Sequence, residues 1–301
     1  MVSINPSLIL VSTIQVIIAL VFSPLVSGII RKIKSYFQSR RGASIFQPYM
    51  DLLKFFTKES TISENSSIIS VFAPFIVFAS YLSACVLFPF LGFKNGSGYD
   101  LITFIYCFGV ARFFIALAGM ESGSSFGGMG SSREMMISAL SEPVLSIVLF
   151  ALSLSVLSYN LNNMLSSGWS IPGILLSISM FIIVIAESSR LPVDNPDTHL
   201  ELTMVHEGMI LEYSGPLLGI FHYASMLKQF ILIALFVSIF SPNIENIVLA
   251  IFIKFVLFLL TVFLIAFIES IVPKMRLFKL PGFFFATGIL GVLAILIYFI
   301  K

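Results

Sequence analysis

At 301 residues with 58% hydrophobic and only 11% charged side chains, the chain excludes a soluble domain, where about 25% of residues carry charge. Its mean hydropathy is +1.04 and its formal net charge +2, the balance of an all-α polytopic membrane protein. The two cysteines, Cys85 and Cys107, lie isolated in apolar segments, which excludes an iron–sulfur cluster or a zinc site within the chain.

The first apolar run, residues 6–30, can cross about 30 Å of hydrocarbon. No basic segment precedes it and no small-residue cleavage site follows, so a retained span is expected. The connection "KSYFQSRRGASIFQPYMDLLKFFTKES" is amphipathic from Tyr49 to Phe56, with Asp51 and Lys54 three residues apart. It reads as a helix lying at the interface. Spans two and three are expected at 68–92 and 100–120.

The next connection, "GMESGSSFGGMGSSREMMISALSEP", is rich in glycine and serine. It lacks both a preceding strand and a Gly-Lys-Ser/Thr ending, so it is not a nucleotide-binding loop. Its small residues are expected to let backbone pack closely beneath a partner protein. Arg133 and Glu134 open the fourth helix, whose span is placed at 136–159. Glu142 follows Glu134 by eight residues, nearly on the same helix face.

After a fifth span at 171–189 comes the most ionisable stretch, "RLPVDNPDTHLELTMVHEGMILEYSGP", residues 190–216. Glu187 and Arg190 are three apart, within ion-pair reach on a helix. Asn195 can cap a helix that has Pro196 in its first position and Asp197 at its positive end. That helix is expected to stop at Ser214, Gly215 and Pro216. One face would carry His199, Leu202, Thr203, His206 and Ile210. Glu201, Gly208 and Glu212 would lie roughly opposite, with Glu207 between. Glu201 and Glu212 would stand about 16 Å apart along the axis. Such a ladder of carboxylates suits proton relay better than hydrolysis.

Three further spans, at 217–241, 246–269 and 281–300, bring the expected count to eight transmembrane helices in one integral membrane domain, 1–301. Ionisable residues fall inside them: Arg112, Glu142, Glu187, Lys228, Lys254 and Glu269. Each is costly in hydrocarbon and should face a partner or water. Twelve basic residues sit in the loops after odd-numbered helices, and two, Lys94 and Lys301, on the opposite side. The positive-inside rule then makes the four odd loops cytoplasmic and both termini external. No internal repeat or pair of broken helices suggests a stand-alone secondary transporter.

Taken together, the loops resemble a family. The first has Arg40, Gly42, Gln47, Pro48, Asp51, Lys54, Lys58 and Glu59. The fifth has Ala186, Glu187, Arg190, Pro192, Asp194, Glu201, Leu202, Glu212, Tyr213, Ser214 and Gly215. These match the membrane subunit at the junction of the two arms of respiratory complex I, and its counterpart in membrane-bound group 4 nickel–iron hydrogenases. Gly42, Ala43 and Ser44 replace the Gly-Pro-Asn common in complex I forms. Val193, Asp194, Thr198 and His199 stand where those forms have a Phe-Asp pair and extra acids. The chain therefore looks closer to the formate hydrogenlyase and hydrogenase branch, which passes electrons to protons. A quinone-binding subunit of a complex I-type NADH or ferredoxin dehydrogenase, or a sulfur-reducing complex, would look similar.

The resemblance implies an inner (cytoplasmic) membrane subunit that docks a hydrophilic redox arm and couples electron transfer to proton or sodium movement. It implies no cofactor, catalytic residue or metal in this chain, and iron–sulfur clusters and a nickel–iron site in partners. Those partners would be hydrogenase-like large and small subunits, iron–sulfur subunits and antiporter-like membrane subunits, with no nucleic acid. Relay residues are expected at Glu134, Glu142, Glu187, Asp194, Glu201, His206, Glu207, Glu212, Lys228 and Lys254. Docking residues are expected at Arg40, Arg41, Asp51, Lys54, Arg133, Arg190, Asp197 and His199.

Overall fold

The computed structural model describes residues 6–62, 66–90, 100–165, 170–194, 205–244 and 246–300. Its helices are α1 (Pro6–Phe37), α2 (Gln47–Thr57), α3 (Ile68–Leu87), α4 (Leu101–Glu121), α5 (Ser125–Val156), α6 (Leu161–Met164), α7 (Ile171–Glu187), α8 (His206–Met209), α9 (Gly215–Phe240), α10 (Ile247–Ile271) and α11 (Leu280–Ile300). Among the described residues no strand forms, only an isolated antiparallel bridge between Asp100 and Asn160.

Among the described residues seven helices are long and apolar enough to cross a membrane, where eight were expected. The shortfall is α7. It has 17 residues, or about 26 Å, just under the hydrocarbon thickness. It ends at Glu187, and Ser189 at φ 51° turns the chain out of helical geometry. α7 nevertheless packs within the bundle against α5, α9 and α11. The most enclosed helix is α9, whose residues from Leu227 to Leu235 are all buried. α10 and α11 instead turn large side chains such as Phe252, Phe255, Phe285 and Phe299 outward, as lipid-facing helices do.

Local chemistry sets the helix ends. Ser67, Ser124, Ser170 and Asn246 each cap a helix by accepting from a backbone N–H two or three residues on. Pro24 inside α1 has no N–H for the Leu20 carbonyl. The Tyr223 hydroxyl donates to that carbonyl at 3.0 Å, and the Tyr49 hydroxyl donates to the neighbouring Val21 carbonyl. α1 therefore continues past its expected end to Phe37. The amphipathic α2 buries Pro48 and Leu52, and its Phe55 stacks on His222 of α9, ring centroids 5.3 Å apart.

The glycine- and serine-rich stretch departs most from expectation. Its first residues close α4, and from Ser125 it forms the opening turns of α5, which begins eight residues before the expected opening at Arg133. Glycine usually weakens helices, but here its missing side chain permits close packing within the chain. A Cβ on Gly130 would meet the Val205 carbonyl oxygen at 3.0 Å and the Met209 nitrogen at 3.1 Å. On Gly119 of α4 it would meet Ser131 Oγ of α5 first and, at 2.9 Å, the Met209 Cβ of α8. The small residues thus seat α8 between α4 and α5. Gly119→Ala should cost about 1–3 kcal/mol through overpacking. An unchanged thermal midpoint in detergent would show that α8 yields easily.

The loops after α1, α4, α7 and α10 gather at one end of the bundle. The Thr61 N–H donates to Ser214 Oγ at 2.8 Å, and the Ser67 N–H to Glu121 at 2.5 Å. Lys274 reaches Asp194 at 2.7 Å, and the Met275 N–H bonds the Pro192 carbonyl at 2.9 Å. Gly215 has φ +54° and lies against the Glu59 backbone, a position that suits only glycine.

Candidate functional site: a charged network inside the bundle

Four helices bring ionisable side chains to one point. Arg112 of α4 pairs with Glu187 of α7, and lies 3.1 Å from Glu142 of α5 and 3.1 Å from Ser141 Oγ. The Lys228 ammonium of α9 is 3.2 Å from Glu187. It sits thirteen residues, about 20 Å, along α9 from Gly215. Arg112, Glu187 and Lys228 are all buried, while Glu142 is partly exposed. Two cations thus face two carboxylates, which offsets the desolvation each would suffer alone.

Glu134, two turns before Glu142 on α5, borders the same group. Two small cavities, of about 10 and 20 Å³, are both lined by Arg112, Glu134, Glu187 and Lys228. Each is about the size of a single-water site, roughly 10–15 Å³. The first reaches Asp194 and the second His206. Asp194 accepts from the His206 backbone N–H at 3.2 Å and from Lys274 at 2.7 Å. His206 Nε2 is buried with no hydrogen-bond partner among the described residues. The loop end of the bundle and the central charges are therefore linked by short polar steps.

A second network was not legible in sequence. Lys34 of α1 donates to Glu269 of α10 at 2.7 Å, and Arg190 reaches the other Glu269 oxygen at 3.4 Å. Arg190 also contacts Ser27 and Gln229, each at 3.5 Å. Gln229 follows Lys228, so the two networks are adjacent on α9. The i, i+3 spacing of Glu187 and Arg190 does not make a pair here, because α7 ends between them. Only the rarity of charge in a span marked Glu269; no spacing could identify its partners.

Of the expected relay residues, Glu134, Glu142, Glu187 and Lys228 are brought together, with Asp194 and His206 adjoining. Glu207 is half-buried in α8. Glu212 is exposed and borders a separate loop cavity of about 350 Å³, together with Glu121, Thr61 and Ser214. Burial and the Glu121 carboxylate push the phenol of Tyr213, on the same cavity, above its ordinary range. Lys254 is elsewhere, on an apolar groove between α1, α9 and α10. Glu201, with the docking residues Asp197 and His199, lies outside the described residues. So does the expected Asn195 cap. The described part of that expected helix is interrupted: α8 ends at Met209, and the Tyr213 N–H closes a turn on the Ile210 carbonyl at 3.1 Å. Close packing beneath Gly119 and Gly130 sets the path there, not helix periodicity.

Among the docking residues, Arg40, Arg41 and Lys54 are exposed at the loop end and Arg133 is half-buried. Asp51 accepts from Gln47 at 2.8 Å and lies 3.8 Å from Arg31, not beside Lys54. Arg190 is buried inside the bundle rather than displayed on its surface. Among the described residues, no group of three or more His, Cys, Asp or Glu side chains could hold a metal.

Comparison with known proteins matches residues 9–300 to the family described as NADH dehydrogenase. Hydrogenase-4 component C of Escherichia coli (strain K12) is 33% identical over 242 residues, 78% of this chain and 76% of that protein. Formate hydrogenlyase subunit 4 of the same organism is 30% identical over 293 residues, 91% and 94% respectively. In three dimensions, a chain of the membrane-bound sulfane sulfur reductase, an archaeal respiratory membrane complex, has the same fold. The TM-score is 0.85 at 20% identity, covering 97% of this chain and 99% of that one.

Proposed function

The chain belongs to the NADH dehydrogenase family, and from that premise we propose that it is the membrane subunit of a respiratory-type oxidoreductase complex of hydrogenase or formate hydrogenlyase kind. In this reading residues 1–301 form one domain in the cytoplasmic membrane, with α7 as a short eighth span and both termini outside. Its loop end docks a hydrophilic arm of hydrogenase-like large and small subunits and iron–sulfur subunits, beside antiporter-like membrane subunits. Those partners carry the iron–sulfur clusters and the nickel–iron site.

One observation carries the coupling role: the Arg112–Glu142–Glu187–Lys228 group is joined through two water-sized cavities to Asp194 and His206 at the loop end. A packing scaffold would be served better by apolar side chains there. A charge arriving in a docked redox subunit alters the proton affinity of nearby buried acids. Asp194, His206 and Glu134 then lie between that event and the intramembrane charges. Glu201, Glu207 and Glu212 act as acids of the approach, and Arg40, Arg41, Asp51, Lys54, Arg133, Asp197 and His199 as contacts of the arm. Arg190, held by Glu269, sets the position of the loop that bears Asp194.

The test begins with the purified complex. Tagged chain should bring down hydrogenase-like and iron–sulfur subunits; isolation of the chain alone with transport activity would overturn the assignment. Lys228→Met should lower the number of ions moved per electron while the partners' isolated redox activity persists. An unchanged ratio would leave the central charges as structural pairs. Inhibition by quinone analogues without hydrogen evolution would favour the quinone-linked alternative.

A further inference from the structure

Away from the charged networks, α1, α9 and α10 enclose an apolar cavity of about 310 Å³. Its walls include Phe22 and Val26 of α1, Phe230 and Val237 of α9, and Phe258 of α10. Among the described residues one charged side chain borders it, Lys254. Among the described residues Lys254 takes part in no ion pair, whereas Lys34, Arg112, Arg190 and Lys228 each face a carboxylate.

Lys254 lies seven residues into α10, about 10 Å along the axis from the end where α9 joins α10. A lysine side chain can extend its ammonium toward that end while its methylene stem stays along apolar surface. The neighbouring α10 side chains Phe252, Phe255 and Val256 are exposed, as expected of a helix face bathed by lipid. A cation without an anion in such a place is stabilised by one supplied from the surroundings.

We propose that this groove is a binding site for an anionic phospholipid of the bilayer, its acyl chain in the cavity and its phosphate on Lys254. The apolar walls recognise the hydrocarbon chain, and the unpaired ammonium selects a headgroup with net negative charge. A zwitterionic lipid gains less, because its own cation accompanies the phosphate. The site stands apart from the coupling route: it shares α9 with that route but none of its ionisable residues.

The test uses the complex purified with its native partners and reconstituted in liposomes of equal phosphatidylglycerol and phosphatidylcholine. A photo-crosslinking residue at Phe255 is activated, and lipid adducts are measured by mass spectrometry. Phosphatidylglycerol adducts should exceed phosphatidylcholine adducts roughly fivefold, the size expected for one cation at a membrane surface. Lys254→Gln should bring the ratio near one, and Lys254→Arg should keep it. Equal adducts in the unaltered protein, a ratio unchanged in Lys254→Gln, or cross-links to a helix of a partner subunit would each overturn the proposal.

Discussion

Glu187→Gln should destabilise the bundle by about 3–5 kcal/mol, the cost of removing one partner from a buried ion pair. Glu187 is the common partner of Arg112 and Lys228, which approach it from α4 and α9. Without its charge, two buried cations would share the partly exposed Glu142, which lies 3.1 Å from Arg112. A lower thermal midpoint of the purified protein is the expected reading; an unchanged one would mean that the cations reach water. Adding Lys228→Met to Glu187→Gln removes one charge of each sign and should recover much of the stability. It should not recover ion movement per electron. Stability and coupling are thereby separated at a single point in the fold.

Glu269→Gln should cost about 3 kcal/mol, toward the lower end of the same range. Its two cations are Lys34, at 2.7 Å, and Arg190, at 3.4 Å, and both of its oxygens are engaged. Lys34 lies in the last turn of α1, close to the loop end of the bundle, which limits the loss. The substitution unties α1 from α10 and frees the segment after α7, so proteolysis in the connection after Phe37 should accelerate. Normal resistance with an unchanged midpoint would show that the aromatic contacts of Phe37 with Phe263 and Phe267 suffice. Because Arg190 also touches Gln229 beside Lys228, a fall in ion movement per electron is expected as well.

Much of this was legible in the chain. Apolar runs longer than the bilayer is thick have few alternatives to helix, since every backbone group must be satisfied internally. The loop motifs around Arg40, Gln47, Glu187 and Glu212 carried the family resemblance without reference to packing. Charges such as Arg112, Glu187, Lys228 and Glu269 marked themselves by their cost in hydrocarbon. Their partners did not. Helical periodicity orders side chains around one axis, but an ion pair between α1 and α10, or among α4, α5, α7 and α9, depends on how separate axes pack. Glu187 and Arg190 illustrate the difference, for their spacing promised a pair and the end of α7 assigned each to another helix. The stretch from Ser125 to Ser132 followed the same logic in reverse. Its composition argued for a loop, yet absent side chains allowed α8 to approach within van der Waals contact, and the packing gained there outweighed glycine's poor helix propensity.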